Sequence, residues 1–173
     1  MIGKFTVSVI VSNHFGVLNR VSGLYAKRNY NIDSLAVGET ENPAYSRITI
    51  VSTGDDYMKE QVVRQLEKLH DVKKVVLLDP ENSVGVEHML IKLKAEGEAK
   101  ADISQLINDY GGSVMDFSSD FITAEITGSS KKIDSFIEAA RPLGILELCR
   151  SGLIAMIQGT KNIMSVANLD PEE

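Results

Sequence analysis

The spacing of apolar residues changes abruptly near the start of the chain. Apolar and polar residues alternate over residues 4–12, which predicts a half-buried β-strand. Over residues 17–25 the apolar residues recur every three or four positions, which predicts a helix of about three turns. The change falls at residues 13–16, Asn-His-Phe-Gly. A strand is therefore predicted to enter a helix through a turn that contains Asn13 and Gly16.

The same analysis completes a βαββαβ pattern in the first half of the chain. Two extended segments are predicted over residues 32–39 and 45–52, joined by a turn. A second helix follows over residues 58–69, with a cap at residues 54–56, and a β-branched strand over residues 72–78 closes the pattern.

The pattern then returns about eighty residues later. The second copy contains a strand over 89–95, a helix over 103–110 that stops at Gly111-Gly112, short strands over 114–118 and 121–127, a helix over 133–140 ended by Gly144, and a strand over 145–157 that is broken near Gly152. The repeat predicts an α+β fold of two tandem ferredoxin-like βαββαβ domains, each a four-stranded antiparallel sheet with helices on one face.

The predicted domains span residues 1–80 and 86–158, with a linker over 81–85. A polar tail over 159–173 lacks periodicity, so we expect it to be mobile.

The apolar face of each sheet that lies opposite its helices must also be shielded from water. In units this small, a neighbouring domain, a second copy or a partner chain usually provides this cover.

Composition narrows the class of protein. The chain has 173 residues, no run of 18 apolar residues and an alternating start, so we expect a soluble, cytoplasmic protein that does not span a membrane. The single cysteine, Cys149, excludes an internal disulfide framework. The three histidines lack ligand spacing, so we expect no metal site.

Charge is distributed unevenly along the chain. Residues 1–83 carry ten Lys and Arg against ten Asp and Glu, whereas residues 84–173 carry eight against fourteen, which accounts for the net charge of −6. An acidic chain without a basic stripe lacks the phosphate contacts that supply most of the affinity for nucleic acids. We therefore expect no nucleic-acid partner.

The turn at residues 13–16 has two interpretations. In the first, Asn13 caps the helix by accepting from a backbone N–H two or three residues later. In the second, the first N–H groups of the helix stay available and bind an anion with help from the helix dipole, and Gly16 lets that anion approach. Residues 12–20 contain one Gly and no Lys, so a nucleotide phosphate is disfavoured.

An amino acid fits the second interpretation better. Phe15, Val17 and Leu18 suit a ligand with one carboxylate and a short apolar side chain, and Asn31 could bind its ammonium group. Alternatively, Asn29 or Asn31 only occupies the left-handed turn after the helix.

The matching loop of the second repeat differs in charge. Glu96 and Glu98 stand where the first repeat has Ser12 and His14. Two carboxylates there would repel a carboxylate ligand, so we expect only the first repeat to accept an anion.

Catalysis has little support in the sequence. Ser12 and His14 have no acid beside them that suggests a triad. The acidic pairs Asp55-Asp56 and Glu39/Glu41 are typical of caps and solvated turns. Cys149 lies in an apolar run, which predicts a thiol packed in the core or at an interface.

Three segments carry a family resemblance. They are the start "SNHFGVLNRV", the segment "RNYNIDSL" and the strand "SRITIV", supported by "RSGLIAM" near residue 150. Together they resemble the small regulatory subunits of acetohydroxyacid synthase (acetolactate synthase), which belong to the ACT-domain family. Asn19 stands where relatives often have Ser, and Cys149 where they commonly have Ala.

The resemblance implies that the first domain pairs with a second copy, edge strand to edge strand, and that valine binds where the two chains meet. The effector-binding residues implied on one chain are Asn13, His14, Phe15, Gly16, Val17 and Leu18, and those implied across the dimer are Asn31 and Ile32.

The family also implies that this chain has no catalysis and no cofactor of its own. A large catalytic subunit holds thiamine diphosphate, Mg and FAD, and the small subunit activates it and makes it sensitive to valine or another branched-chain amino acid. We expect the second domain, with Arg150, to contribute to the contact with that subunit.

Two alternatives stay open at this stage. A stand-alone ACT-domain sensor would bind an amino acid without a catalytic partner. An acylphosphatase-like hydrolase would hold a phosphoryl group in the same loop, polarised by Asn13 and Arg20. The sequence does not decide between valine, leucine and isoleucine, because one methylene changes binding by only about 1–3 kcal/mol.

Overall fold

Two βαββαβ units make up the chain, which confirms the predicted α+β tandem architecture. The computed structural model describes residues 2–97 and 99–165. Among these, residues 2–85 and 153–165 form the first unit, and residues 86–152 form the second.

The first unit contains four strands and two helices. They are β1 (Gly3–Ser12), α1 (Val17–Lys27), β2 (Ser34–Glu39), β3 (Tyr45–Gly54), α2 (Asp56–Glu67) and β4 (Val72–Leu78). The strands form an antiparallel sheet in the order β2-β3-β1-β4, so β2 lies at one edge.

The second unit repeats this order. Its elements are β5 (Ser83–Lys94), which begins in the first unit, α3 (Ala99–Asp109), β6 (Ser113–Phe117), β7 (Phe121–Gly128), α4 (Ser130–Ala140), a 3₁₀ turn (Arg141–Leu143) and β8 (Ile145–Arg150). The described part of the chain ends with β9 (Ile154–Ile157) and a second 3₁₀ turn (Ile163–Ser165), both of which lie in the first unit. The second sheet has the antiparallel order β6-β7-β5-β8, and β9 also pairs with β5, so this sheet has five strands and not the predicted four.

Each unit has a core between its sheet and its helices. In the first unit the alternating residues of β1 pack against the apolar faces of α1 and α2. In the second unit Met89, Ile91 and Leu93 of β5 pack against Ile107 of α3 and Phe136 of α4. The alternating and helical patterns in the sequence therefore located both cores.

The opposite face of the first sheet is covered by the end of the same chain. Ile10 of β1 and Val76 of β4 are buried together with Ala155 of β9 and Ile163 of the second 3₁₀ turn. The covering segment is anchored at the sheet edge, because the Leu153 N–H donates to Ser34 Oγ over 3.0 Å.

This covering segment differs from the expected domain bounds. The break predicted near Gly152 in the closing strand over 145–157 is confirmed, because β8 and β9 are separated around this glycine, which has φ of 78°. Residues 153–158 were expected in the second domain and 159–165 in a polar tail, yet both segments belong to the first unit. The remaining tail, residues 166–173, lies outside the described residues. The expected linker over 81–85 also differs, because β5 already begins at Ser83.

Two local features differ from the sequence predictions. Cys149 is exposed and is not packed in the core, because it pairs with Leu90 on the sheet face that points away from the helices, and its placement at an interface stays a prediction. The helix predicted to end at Gly144 ends at Ala140, because Pro142 lies in a 3₁₀ turn that replaces its last turn.

The predicted cap before α2 is confirmed, because Asp55 Oδ1 accepts from the Met58 N–H over 2.8 Å. None of the described helices is long and apolar enough to cross a membrane.

Candidate functional site

The turn between β1 and α1 ends in a glycine with a left-handed backbone. Gly16 occupies the N-cap position of α1 with φ of 84°, a conformation that glycine adopts at little cost. No side chain caps this helix. A Cβ built on Gly16 would meet no atom within 4 Å, so this part of the turn faces open space.

The interpretation of Asn13 as a helix cap was wrong. Its side-chain Nδ2 donates to Glu39 Oε1 and to the Pro43 carbonyl oxygen, each over 2.9 Å. Its backbone N–H donates to the Ala44 carbonyl over 2.8 Å. Asn13 therefore fixes the turn to the connection between β2 and β3, and both hydrogens of its amide are used.

The start of α1 consequently offers unsatisfied donors. Within the described part of the chain, the backbone N–H groups of Phe15, Gly16, Leu18 and Asn19 make no hydrogen bond. The first regular helical bond joins the Arg20 N–H to the Gly16 carbonyl over 3.1 Å. Unpaired N–H groups together with the positive end of the helix dipole form a ready site for a small anion.

Three residues behind this turn form an ionic cluster. The buried Asp71, with 6% of its side chain exposed, lies 3.0 Å from His14 Nε2 through Oδ1 and accepts from Arg20 Nη1 through Oδ2. Burial by itself raises the pKa of Asp71, but the hydrogen bonds and charges of Arg20 and His14 outweigh it and hold the pKa of this carboxyl below its usual value. The Arg20 guanidinium and the His14 ring are thus directed at Asp71.

The predicted apolar residues of the site have different positions. Phe15 is fully exposed, at 100%, and Leu18 is exposed beside it at the start of α1. The side chain of Val17 is buried in the core of the first unit. Of these three predicted residues, Phe15 and Leu18 therefore expose apolar side chains to solvent beside the turn. Val17 packs in the core and holds α1 against the sheet.

Asn31 and Ile32 lie beyond the other end of α1. The helix has 11 residues, which separates its two ends by about 16 Å. Asn29 occupies the left-handed turn after the helix, with φ of 55°. Asn31 Nδ2 donates to Asp33 Oδ1 over 2.6 Å, and Ile32 packs partly against the core. One chain does not bring these two residues to the turn at Gly16.

The matching turn of the second unit has a different charge. Glu96 is exposed and pairs with Lys94 Nζ over 3.2 Å. Glu98, the second carboxylate expected there, lies outside the described residues. Arg150, which we expected at a partner contact, is bound within its own unit by Glu87 and Asp134.

Sequence reasoning missed two residues of the site. The sequence predicts Glu39 as a solvated turn charge, whereas it binds Asn13, and no sequence pattern marks Asp71, which contacts His14. Asp71 lies 57 positions from His14, so no local pattern could connect them. Among the described residues, no group of three or more His, Cys, Asp or Glu side chains is arranged to hold a metal ion.

Comparisons with known proteins cover nearly the whole chain. Residues 7–74 match the family "AHAS small subunit-like ACT domain", and residues 86–159 match the family "Small subunit of acetolactate synthase". A relative from Methanothermobacter thermautotrophicus, named "Probable acetolactate synthase small subunit", is 42% identical over 91% of this chain and 94% of its own length. The acetolactate synthase small subunit of Mycolicibacterium smegmatis is 39% identical over 91% of this chain and 93% of its own length.

A solved structure shows the same similarity. The crystal structure of the acetolactate synthase small subunit from Thermotoga maritima superimposes with a TM-score of 0.85 and is 38% identical. The match covers 92% of this chain and 99% of that chain. The similarity therefore includes both units.

Proposed function

The chain belongs to the family of acetolactate synthase small subunits, and from that premise we propose that it is the regulatory subunit of this enzyme in branched-chain amino acid biosynthesis. In this proposal it has no catalysis and no cofactor of its own and acts in the cytoplasm. It activates a large catalytic subunit that holds thiamine diphosphate, Mg and FAD, and it makes that subunit sensitive to valine.

The observation that carries the proposal is the uncapped start of α1. Its unpaired N–H groups suit the single carboxylate of an amino acid, and Gly16 leaves room for it. Phe15 and Leu18 are exposed beside these donors and suit a short branched side chain. The amide hydrogens of Asn13 are used by Glu39 and Pro43, so its remaining oxygen suits the ammonium group better than the carboxylate.

A second chain would complete the site. Strand β2 is the edge of the first sheet, and Val37 on it is 47% exposed. Antiparallel pairing of two β2 strands would satisfy their unpaired backbone groups and cover Val37. Asn31 and Ile32 lie three and two positions before the start of β2 at Ser34, so pairing brings them to the boundary between the chains. The proposed homodimer thus supplies the residues that one chain keeps apart.

The effector acts by shifting a population. Valine must bind one arrangement of the assembly more tightly than another, since equal affinity for both changes nothing. A coupling free energy of about 1–3 kcal/mol is typical and is sufficient for inhibition of several-fold or more.

A thermal-unfolding screen with amino acids tests the proposal on matched variants. Val37→Lys places a charge on the edge strand, which opposes pairing. Val114→Lys is the control, because Val114 has the same exposed fraction, 47%, and lies on β6, the edge strand of the second sheet.

We expect the unchanged protein to be a dimer by light scattering and to be stabilised by valine. At a concentration of 100 Kd the gain is about 2.7 kcal/mol, a rise in Tm of roughly 5–10 °C. Val37→Lys should be monomeric and show no rise, and Val114→Lys should behave like the unchanged protein. No stabilisation of the unchanged protein by any branched-chain amino acid would contradict the proposal. Full stabilisation of a monomeric Val37→Lys variant would place the whole site in one chain.

A further inference from the structure

Three segments of the chain meet at one buried carboxylate. Asp71 lies in the turn between α2 and β4, and its two carboxylate oxygens contact His14 and Arg20 separately. Its backbone carbonyl accepts from the Ser12 N–H over 2.8 Å. The end of β1, the turn and the first helical residues are thus all bonded to Asp71.

The His14 ring in this cluster lies between two acceptor oxygens. His14 Nδ1 lies 3.1 Å from the Phe15 carbonyl oxygen, and Nε2 lies 3.0 Å from Asp71 Oδ1. The ring therefore links Asp71 directly to the peptide group next to Gly16. A change at Asp71 reaches the unpaired N–H groups through a single side chain.

The negative charge of Asp71 is the reason that its contacts with His14 and Arg20 hold the turn. A buried carboxylate is stable only if it is paired and hydrogen-bonded, and all ionic partners of Asp71 among the described residues come from the turn and α1. The Arg20 and His14 side chains are about half exposed, but each directs a nitrogen at Asp71. Without the carboxylate, Arg20 loses its ion pair and His14 keeps only its contact with the Phe15 carbonyl oxygen.

We propose that Asp71 is a positioning residue of the effector site, which holds residues 12–20 in the conformation that directs the N–H groups of Phe15, Gly16, Leu18 and Asn19 at the carboxylate of the amino acid. This inference rests on the proposed function of the turn. Asp71 does not touch the ligand, and it acts through His14, Arg20 and the Ser12 backbone.

The test compares two buried carboxylates of the same chain. Asp71→Asn removes the charge at the turn. Glu87→Gln is the matched control, because Glu87 is also 6% exposed, is also paired with an arginine, Arg150, and lies in the second unit. Arg20→Gln removes one exposed partner of Asp71. This variant tests the same contact if Asp71→Asn does not fold.

We expect Asp71→Asn to raise the Kd for valine, measured by calorimetry, about tenfold or more, which corresponds to the loss of one hydrogen bond to a charged group. Arg20→Gln should raise it in the same direction, and Glu87→Gln should leave it unchanged. Amide hydrogen exchange at Ser12 should become faster in Asp71→Asn and not in Glu87→Gln, and a general loss of stability would not produce this difference.

The outcomes separate the two proposals. If the unchanged protein binds valine and both Asp71→Asn and Arg20→Gln bind it equally well, the role of Asp71 is overturned and the proposed function stands. If the unchanged protein binds no branched-chain amino acid, the proposed function is overturned, and the role of Asp71 with it.

Discussion

Gly16 determines how much of the N-terminus of α1 stays available to a ligand. At α2 the side chain of Asp55 accepts from the Met58 N–H, and at α4 Ser129 accepts from the Lys132 N–H. At α1 the same position holds a glycine, which has no side chain to occupy those donors. One residue therefore separates an ordinary capped helix from one that can accept an anion.

A pair of substitutions at Gly16 isolates the charge of the ligand. Asn and Asp have the same shape, both tolerate a left-handed backbone better than other residues, and both suit an N-cap position. Only Gly16→Asp places a second carboxylate beside that of the amino acid. We expect Gly16→Asn to weaken valine binding by filling space, and Gly16→Asp to weaken it at least about tenfold further through repulsion. Equal Kd values for the two variants by calorimetry would mean that no carboxylate binds at this turn.

Sequence reasoning at this scale was right about the location and wrong about one role. The change from alternating to helical spacing located the turn, and the lone Gly marked its unusual backbone. The role of Asn13 could not be read from its neighbours, because its partners Glu39 and Pro43 lie 26 and 30 positions away. The fold brings them together only when β2 and β3 pair.

At the scale of elements, the C-terminal segment completes the first unit. The apolar run from Leu153 to Ile157 is part of the closing strand that the sequence predicted over residues 145–157. It could not show which sheet that strand would cover, because an apolar face fits any complementary apolar face. The segment supplies to the first sheet the cover that we expected from a neighbouring domain, a second copy or a partner chain.

Ile163 tests whether this cover stabilises the sheet. It is 7% exposed, whereas its neighbour Met164 is 62% exposed. We expect Ile163→Ala to destabilise the first unit by about 2 kcal/mol, because it leaves a cavity beside Val76 and Leu78. Met164→Ala should change stability by less than about 0.5 kcal/mol.

Amide hydrogen exchange in β4 measures this directly, because it reports the local free energy of opening. Faster exchange in Ile163→Ala alone is the expected result. Equal exchange in both variants would show that the second 3₁₀ turn does not stabilise the sheet.

For the whole molecule, the two units share one scaffold and differ at the turn that precedes their first helix. The first has an uncapped helix start beside Arg20 and His14, which both contact Asp71, and the second has Glu96, which pairs with Lys94. The tandem pattern and the family were predictable from the sequence, because both depend on residues spread along the entire chain. The separation of Asn31 and Ile32 from Gly16 followed from the helix predicted between them, and the structure confirms that helix with 11 residues.

The central claim is that this chain transmits the presence of valine to a separate catalytic subunit. The most direct measurement combines the purified chain with that large subunit and follows the condensation of 2-keto acids while valine is titrated. We predict that the chain raises the rate, that valine lowers the raised rate, and that Gly16→Asp keeps the activation and loses the inhibition by valine. A rate that is unchanged when the chain is added, or that valine lowers equally without it, would contradict the account.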